Sequence, residues 1–391
     1  MQNIFVFFIV LYEFSTYASN DLIMPGMLNV VNEFHVPVSY ISLSLTVYLL
    51  GNTCLQLFLG PFSDRFGKRI VILIGVTLFL IFTVYIALSH NIFQFILGRL
   101  FQGSGLAYIA IAYSLIHERF NDKEGVKIIA LMGNISLLAP LLGPLIGAFI
   151  VSLFSWRYIF IFTGFVAFIA FIGLYKSLPK DSKKIENLEL KLILITYWKI
   201  VKTPRFIIGA ISSSISALPI LCWIALTPTV VMKTLHQSVL TYSIYQLFAM
   251  SGLFLSAIAM HFIAGKVSFY RLLKTMSFVS FIGLSLGFVF HNNMYIIILG
   301  IAIYSFGLGI FNNLTFRLVM TTPNMPTGML TSLMVFIQTI IFAIGIEIAD
   351  YISNNSNYSL LSFTSVNMII ACIFLVLVRI YALMNKNKGW N

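Results

Sequence analysis

The sequence predicts an all-α membrane protein in which twelve transmembrane helices form two pseudo-symmetric bundles of six. The first observation is composition, because 59% of the 391 residues are hydrophobic and only 9% are charged, whereas about a quarter are charged in soluble globular domains. The second is that the apolar residues form continuous runs of about 20 residues, the length at which a helix crosses the hydrocarbon core of a bilayer. A membrane β-barrel would need short alternating segments, so these runs indicate helices.

The apolar runs fall into two sets of six, separated by the only long polar segment of the chain. The predicted spans lie at about 4–26, 38–60, 70–88, 92–116, 127–151 and 156–178 in the first set, and at about 205–232, 239–263, 273–290, 294–318, 326–350 and 358–383 in the second. Two bundles that hold substrate at their interface are typical of a secondary transporter built from repeats.

This division predicts three segments: an N-terminal bundle over 1–178, a central cytoplasmic linker over 179–204, and a C-terminal bundle with a short cytoplasmic tail over 205–391. Within the linker, the apolar spacing of Leu188, Leu190, Leu192 and Ile193 predicts a helix that lies on the membrane surface.

Basic residues are concentrated in alternate loops, and this asymmetry predicts the orientation of the chain. Lys and Arg number 24 against 12 Asp and Glu, a net charge of +12. Most of the bases lie in the loops after spans two and four, in the linker and near the C-terminal end, whereas the opposite side carries only Arg157 and Lys233. The distribution argues against a nucleic-acid partner and predicts that both termini are cytoplasmic. The first span is too long and too polar in its middle for a cleaved signal peptide, so we expect it to remain.

The sequence offers little for metal binding or catalysis. Cys54, Cys222 and Cys372 lie in different predicted spans, which argues against a disulfide framework or a thiolate metal site. The six histidines lie near span ends or in loops, and none is paired at ligand spacing. Because no His/Asp or Ser/His constellation falls at a membrane face, we expect neither a metal nor catalytic residues, and a membrane-embedded enzyme is not predicted.

Three charged residues lie well inside predicted spans, at least five residues from either end: Glu13 and Asp21 in span one, and Arg99 in span four. Ionisable groups in hydrocarbon are costly and usually serve a proton relay or a ligand counter-charge. Asp21 and Arg99 fall at similar depths, roughly 7 and 10 Å from the outer ends of their spans, so they can form a pair. Glu13 lies roughly 12 Å deeper and about 80° around the helix, so it belongs to a separate site. The alternative role for Asp21 and Arg99 is a buried ion pair that serves only structure. The alternative for Glu13 is an acid that stays protonated and forms a hydrogen bond between helices.

The loop after span two reads Gly60-Pro-Phe-Ser-Asp64-Arg65-Phe-Gly67-Lys68-Arg69 and resembles the signature motif of the major facilitator superfamily. We expect Gly60 and Gly67 to permit a tight turn between antiparallel helices. Asp64 can pair with the bases of the loop or face a helix N-terminus, and the bases anchor the cytoplasmic side. The resemblance predicts a conformational latch between the bundles, formed by Gly60, Asp64, Arg65, Gly67, Lys68 and Arg69. The corresponding loop of the second half keeps Gly265, Lys266 and Arg271 but has no acid.

Spans four and five carry two further motifs. The stretch from Arg99 through Gln102 to Gly105 is similar to the R-x-x-Q-G-x-G motif of the same family. Span five is close to the family's antiporter motif, except that Ala148 occupies the place of its last glycine. Its small residues allow helices to approach closely and its prolines bend the helix, so plain helix packing is the alternative role. The antiporter stripe comprises Ala139, Pro140, Gly143, Pro144 and Gly147.

Span one, from Leu11 to Asp21, is the most specific stretch, and with the other motifs it resembles the twelve-span drug/proton antiporters of the superfamily. The resemblance implies a monomer in the bacterial inner membrane that exports lipophilic cationic, zwitterionic and neutral drugs in exchange for protons, with no cofactor besides the proton gradient. It implies proton coupling by Glu13, Asp21 and Arg99. The substrate-cavity residues that it implies, extended by two looser candidates from the second bundle, are Tyr17, Asn20, Asp21, Tyr113 and Met132, with Trp223 and Tyr245.

A second function stays open on the same scaffold, the proton-coupled export of one native metabolite such as a siderophore, an amino acid or a sugar derivative. In either case the proton affinity of a carboxylate would change as its distance from Arg99 changes between conformations. Drug and proton would then compete for the same ionised group during alternating access. Glu347 and Asp350 lie at the outer end of span eleven, where water can reach, and we expect a structural or gating role for Glu347.

Overall fold

A computed structural model describes residues 4–180, 190–263, 266–322 and 325–385. Helices dominate these residues, and the chain divides into two compact units, 1–190 and 191–391. The helices of the first unit are α1 (Ile4–Asp21), α2 (Met27–Glu33), α3 (Tyr40–Phe66), α4 (Lys68–Ala87), α5 (Ile92–Gly103), α6 (Gly105–Arg119), α7 (Asp122–Leu153) and α8 (Arg157–Ser177). Those that follow are α9 (Leu190–Val201), α10 (Pro204–Pro228), α11 (Val239–Ile263), α12 (Phe269–Val289), α13 (Met294–Met320), α14 (Thr327–Asn355) and α15 (Leu360–Asn385).

Eleven spans within the described residues are long and apolar enough to cross a membrane. They match the predicted spans from the second to the twelfth. The first predicted span corresponds to α1, an 18-residue helix that carries Glu13 and Asp21 and is followed by a 3-10 turn over Met24–Gly26. The two carboxylates lower the hydropathy of α1, which is why it stands apart from the other spans.

Two spans differ from uninterrupted α-helices. The fourth breaks at Ser104 into α5 and α6. The seventh changes after Pro228 into a π-helical turn over Thr229–Thr234. Neither irregularity interrupts the apolar run of the sequence, so hydropathy alone could not show them.

A helix is present in the predicted linker as α9, and its position on the membrane surface stays a prediction. Tyr197 and Ile200 are buried, while Leu194 and Trp198 are exposed. Burial raises the pKa of the Tyr197 phenol above its ordinary value. The residues from 181 to 189, including Leu188 and most of the Lys-rich run, lie outside the described part of the chain.

In the N-terminal unit, α1 lies against α6, α7 and α8. The Tyr12 hydroxyl donates to the Gly105 carbonyl oxygen at 2.9 Å, and the Tyr12 ring meets Phe79 edge-on at a centroid distance of 5.9 Å. Gly173 of α8 lies directly against the Phe8 ring, where a Cβ atom would overlap the ring. These contacts fix α1 at the centre of its unit and bury most of its polar side chains.

In the C-terminal unit, α10 carries a buried polar face. Ser213 and Ser216 both donate to the Asn312 side-chain oxygen of α13, at 2.9 and 3.1 Å. The Tyr304 hydroxyl donates to the Ser216 carbonyl oxygen at 2.5 Å. This face of α10 is therefore held by hydrogen bonds between neutral groups.

Candidate functional site

The polar residues of α1 are buried inside the N-terminal unit. Glu13, Thr16 and Ser19 have no exposed surface, and Asp21 is 6% exposed. The Thr16 hydroxyl donates to the Glu13 carbonyl oxygen at 2.8 Å, and the Ser19 hydroxyl donates to the Thr16 carbonyl oxygen at 2.9 Å. These hydroxyls bond within their own helix, and Glu13 and Asp21 are the two carboxylates that α1 holds in the interior.

Arg99 of α5 is fully buried and donates hydrogen bonds from all three nitrogens of its guanidinium. Nη2 donates to Asn20 Oδ1 at 2.7 Å, and Nη1 donates to Gln102 Oε1 at 2.8 Å and to the Ser19 carbonyl oxygen at 3.3 Å. Nε donates to Ser44 Oγ at 3.3 Å. A buried charge requires compensation of this kind, and here neutral oxygens from α1, α3 and α5 provide it.

Asn20 joins Asp21 to Arg99. Its side-chain oxygen accepts from Arg99 at 2.7 Å, and its amide nitrogen donates to Asp21 Oδ1 at 3.3 Å. Both charged side chains are described by the structure, and no direct ion pair within 4 Å joins them. The predicted Asp21–Arg99 pair is therefore corrected to a bridged arrangement. Helical depth placed the residues at one level, but it could not show that the neighbouring amide occupies the space between them.

Tyr48 of α3 is a site residue that the sequence did not reveal. Its ring lies under the Arg99 guanidinium, 4.3 Å from the guanidinium carbon to the ring centroid. Its hydroxyl donates to the Thr16 carbonyl oxygen of α1 at 2.7 Å. The ring therefore adds a cation–π contact and ties α3 to α1 at the level of the buried charge. Within an apolar span, the sequence around a tyrosine that contacts a buried charge does not differ from the sequence around one that only packs against other helices.

The hydrogen bonds around Arg99 continue to α4. Gln102 Nε2 donates to Thr83 Oγ1 at 2.8 Å, and Thr83 donates to the Phe79 carbonyl oxygen at 2.6 Å. The network therefore runs from Asp21 on α1 through α5 to α4, with every polar side chain along it hydrogen-bonded. A connected network in a low-dielectric interior couples its members, so a change at one end is felt at the other.

Glu13 lies in a second cluster. Its Oε1 accepts a hydrogen bond from the Tyr113 hydroxyl at 3.0 Å. Met132 is fully buried in the same apolar cluster, and the half-buried Tyr17 and Tyr113 pack against it. The structure thus brings Tyr113 to Glu13 and Asn20 to Asp21 and Arg99, whereas Tyr17 and Met132 belong to the apolar core of the unit. Two separate carboxylate sites are what the sequence predicted.

The predicted antiporter stripe packs on the end of α1. A Cβ atom at Gly143 would lie 2.9 Å from the Asp21 Cβ, and one at Gly147 would overlap the Leu22 carbonyl oxygen. Pro140 and Pro144 lie inside α7. Ala139 is buried at the start of the stripe. The small residues of the stripe therefore serve helix packing and also bring α7 close to Asp21.

The predicted latch residues lie at the junction of α3 and α4. Gly67, with φ of 99°, forms the turn. Gly60 instead lies inside α3 with open space around its Cβ position, so the expectation that both glycines shape the turn is wrong for Gly60. Arg65 is exposed and lies 5.4 Å from the Phe66 ring centroid. The Asp64 side chain lies outside the described part of the structure.

Lys68 and Arg69 bind groups within the N-terminal unit. Lys68 is 7% exposed and donates to Ser114 Oγ at 2.7 Å and to the Glu118 carboxylate. Arg69 donates to the carbonyl oxygens of Tyr175, at 2.6 Å, and Leu178. These bases fasten the start of α4 to α6 and to the end of α8. The Lys266 loop of the second half is partly outside the described residues.

The two candidates of the second unit lie in different environments. Trp223 is fully buried, and its indole N–H donates to Gln246 Oε1 at 2.6 Å. Tyr245 lies on another face of α11, in a surface groove with Tyr295, at a ring-centroid distance of 6.0 Å. They therefore do not line one pocket of this unit, and Gln246 is the partner that the sequence missed.

At the end of α14, Asp350 is 5% exposed and accepts a hydrogen bond from the Tyr358 hydroxyl at 3.1 Å. Tyr358 lies in the turn before α15 with φ of 54°. Burial and the nearby carboxylates raise the pKa of the Tyr358 phenol. These contacts agree with a structural role for Asp350. Among the described residues, no group of three or more His, Cys, Asp or Glu side chains could hold a metal ion.

Comparison with known proteins gives the family. The sequence profile of the Major Facilitator Superfamily matches residues 9–349. The chain is similar to "Multidrug transporter MdfA" of Edwardsiella piscicida, with 36% identity over 389 residues, which cover 97% of this chain and 93% of the relative. It is 34% identical to the protein of the same name from Escherichia coli O6:H1 over 391 residues, covering 97% of this chain and 94% of the relative.

Solved structures show the same fold at low sequence identity. A bacterial homologue of the human lysosomal transporter Spinster, in an inward-facing and unoccupied conformation, superposes with a TM-score of 0.76 at 13% identity, covering 100% of this chain and 98% of that one. A D-xylose-proton symporter superposes with a TM-score of 0.74 at 17% identity, covering 95% and 96%. The predicted twelve-span fold is confirmed. The chain is a multi-pass bacterial membrane transporter, not an enzyme, and it belongs to the major facilitator superfamily.

Proposed function

We propose that the chain exports lipophilic drugs in exchange for protons by alternating access, and that its buried charges couple the two fluxes. The observation that carries the proposal is the constellation in α1, where Asp21 reaches Arg99 through Asn20 and where Glu13 forms a second, separate site. Relatives more than a third identical over nearly the whole chain bear the name of multidrug transporters. The names of these relatives support drugs as the transported substrates.

The buried network suggests how exchange works. The proton affinity of a buried carboxylate depends on its distance from a cation and on its hydrogen bonds. Asp21 receives only a 3.3 Å hydrogen bond from Asn20, so a small movement of α1 relative to Arg99 changes both influences. A cationic drug favours the ionised carboxylate, and a proton neutralises it. Each therefore displaces the other, and no cofactor besides the proton gradient is required.

Around these carboxylates, Tyr17, Tyr113 and Met132 provide aromatic and thioether surface for a hydrophobic cargo. Such side chains adapt to ligands of different shapes, and they suit broad specificity. Trp223 and Tyr245 remain candidates for the contribution of the second unit. The antiporter stripe, whose Gly143 lies against Asp21, would transmit movement of α7 to the coupling carboxylate.

The remaining features complete the proposal. Cytoplasmic termini and a cytoplasmic linker between 178 and 204 agree with the distribution of Lys and Arg. A monomeric state and location in the inner membrane belong to the proposal through the resemblance to the family. The latch of the signature motif would act through Arg65 and Asp64, because Lys68 and Arg69 already bind within the N-terminal unit. Surrounding lipid is the remaining partner.

Transport by purified protein in liposomes tests the proposal. With an imposed pH gradient, wild-type protein is expected to move tetraphenylphosphonium and ethidium. The Asp21→Asn variant is expected to insert into the liposomes in the same amount but to move neither cation. Asp350→Asn is the matched control, because that carboxylate lies in the other unit and is bonded to Tyr358. Gradient-driven flux that survives in Asp21→Asn would remove Asp21 from coupling. Movement of one metabolite and of no lipophilic cation would favour the dedicated exporter.

A further inference from the structure

A long apolar groove lies on the surface of the N-terminal unit between α4 and α8. Its volume is about 880 Å³, and both helices are membrane spans. The side chains that line it are largely exposed, between 50% and 66% for most of them. Its principal apolar residues are Ile81, Val84, Leu88, Ile161, Phe165 and Phe168. A concave surface of this size on two membrane spans offers a fixed place to an apolar chain.

One end of the groove is polar and the other is not. Arg157, Ser155 and Tyr158 lie at the end formed by the start of α8 and the end of α4. From Leu80 to Leu88 the groove follows α4 for about 12 Å, and from Arg157 to Phe168 it follows α8 for about 16 Å, at 1.5 Å per residue. Half of the roughly 30 Å hydrocarbon core is about 15 Å. The groove therefore has the depth of one lipid leaflet, with its polar end at the surface.

The polar end presents two opposite charges side by side. Arg157 Nη1 lies 2.7 Å from Glu33 Oε1, and both side chains are partly exposed, at 27% and 42%. Glu33 is held from behind by the indole N–H of Trp156 at 2.7 Å, and Arg157 donates to the Ser89 carbonyl oxygen at 2.9 Å. The guanidinium has five N–H donors, more than these acceptors use. The pair is thus fixed in place while each charge still faces solvent.

We propose that this groove binds a zwitterionic phospholipid with a primary amine in its headgroup, of the phosphatidylethanolamine type. One acyl chain would occupy the groove, the phosphate would bind Arg157, and the ammonium group would bind Glu33. The two neighbouring charges determine which lipid is preferred, because an anionic headgroup would be attracted by Arg157 but repelled by Glu33. The trimethylated amine of phosphatidylcholine has no N–H group that could donate a hydrogen bond to Glu33.

Native mass spectrometry of the detergent-purified, delipidated protein tests the assignment. The probes are phosphatidylethanolamine, phosphatidylcholine and phosphatidylglycerol with identical acyl chains, offered in turn and in competition. Wild-type protein is expected to retain one phosphatidylethanolamine about fivefold more strongly than either other lipid, the factor for one partly exposed charge pair worth about 1 kcal/mol. Equal retention of the three lipids would overturn the headgroup assignment.

Three variants separate the chain groove from the charge pair. Val84→Trp fills the groove and is expected to lose the retained lipid, whereas Val289→Trp, at a similarly exposed position of α12, is expected to keep it. Glu33→Gln retains an oxygen for Trp156 and is expected to bind lipid without preferring the amine. A Val84→Trp protein that binds as wild type, or a Glu33→Gln protein that keeps the full preference, would contradict the proposal.

Discussion

Tyr48 provides a sharp test of how the buried charge is held, because its ring and its hydroxyl can be removed separately. The ring faces the Arg99 guanidinium at 4.3 Å, and the hydroxyl donates to the Thr16 carbonyl oxygen at 2.7 Å. Tyr48→Phe removes only the hydrogen bond, about 1 kcal/mol. Tyr48→Leu also removes a desolvated cation–π contact of about 2 kcal/mol, a total of about 3 kcal/mol before any cavity forms.

The two variants should separate in both stability and transport. Equilibrium unfolding in mixed micelles is expected to place Tyr48→Phe about 1 kcal/mol and Tyr48→Leu about 3 kcal/mol below wild type. Gradient-driven export should persist in Tyr48→Phe, because the ring still holds Arg99 in position, and should be lost in Tyr48→Leu. Two variants with equal stability and equal transport would show that the ring does not position Arg99, and the reasoning would be refuted.

Two further predictions concern packing and pH. Gly147→Ala places a methyl group on the Leu22 carbonyl oxygen, so the yield of folded protein is expected to fall sharply, by overpacking worth about 1 to 3 kcal/mol. Gly133→Ala on the same helix, where the Cβ position is open, is the control, and equal yields would contradict the close contact. Tyr358 has a raised pKa beside Asp350, so its contribution to stability is complete below the unfolded pKa of about 10 and is lost as pH rises above it. Tyr358→Phe should therefore flatten the alkaline loss of stability seen by unfolding, and an unchanged alkaline slope would count against this assignment.

The fold could be predicted because hydropathy is a property of each segment alone. A helix that crosses hydrocarbon must be apolar along its whole length and must satisfy its own backbone, so the spans could be read directly from the sequence. The linker helix α9 was predicted from the spacing of its apolar residues. The break at Ser104 and the π-helical turn after Pro228 could not be predicted, because they change the hydrogen bonding of the backbone without changing its hydropathy.

The sequence analysis named the charged residues of the site and, through the family resemblance, Asn20 and Tyr113, but it did not identify Tyr48. Glu13, Asp21 and Arg99 are conspicuous because charge is rare in these spans. Tyr48 is one of 18 tyrosines, and nothing in the sequence distinguishes it from those that only pack. The bridging position of Asn20 depends on side-chain rotamers, which sequence spacing does not encode.

Gly60 shows the opposite error, in which a motif suggested more than the backbone needs. A glycine is favoured at the backbone conformation of Gly67, whose φ of 99° is one that residues with a Cβ atom rarely adopt. Inside a helix it is merely tolerated, as at Gly60. The motif contains both, and only the backbone conformation distinguishes them.

The central claim is that drug and proton compete for the buried carboxylates of α1, and proton release on drug binding measures this directly. Purified protein in weakly buffered detergent solution is mixed with tetraphenylphosphonium at neutral pH, and released protons are followed with a pH indicator. The account predicts that wild-type protein releases protons in proportion to the cation bound, and that the Glu13→Gln/Asp21→Asn double variant releases none. Saturable binding of the cation without proton release by wild-type protein, or undiminished release by the double variant, would contradict it.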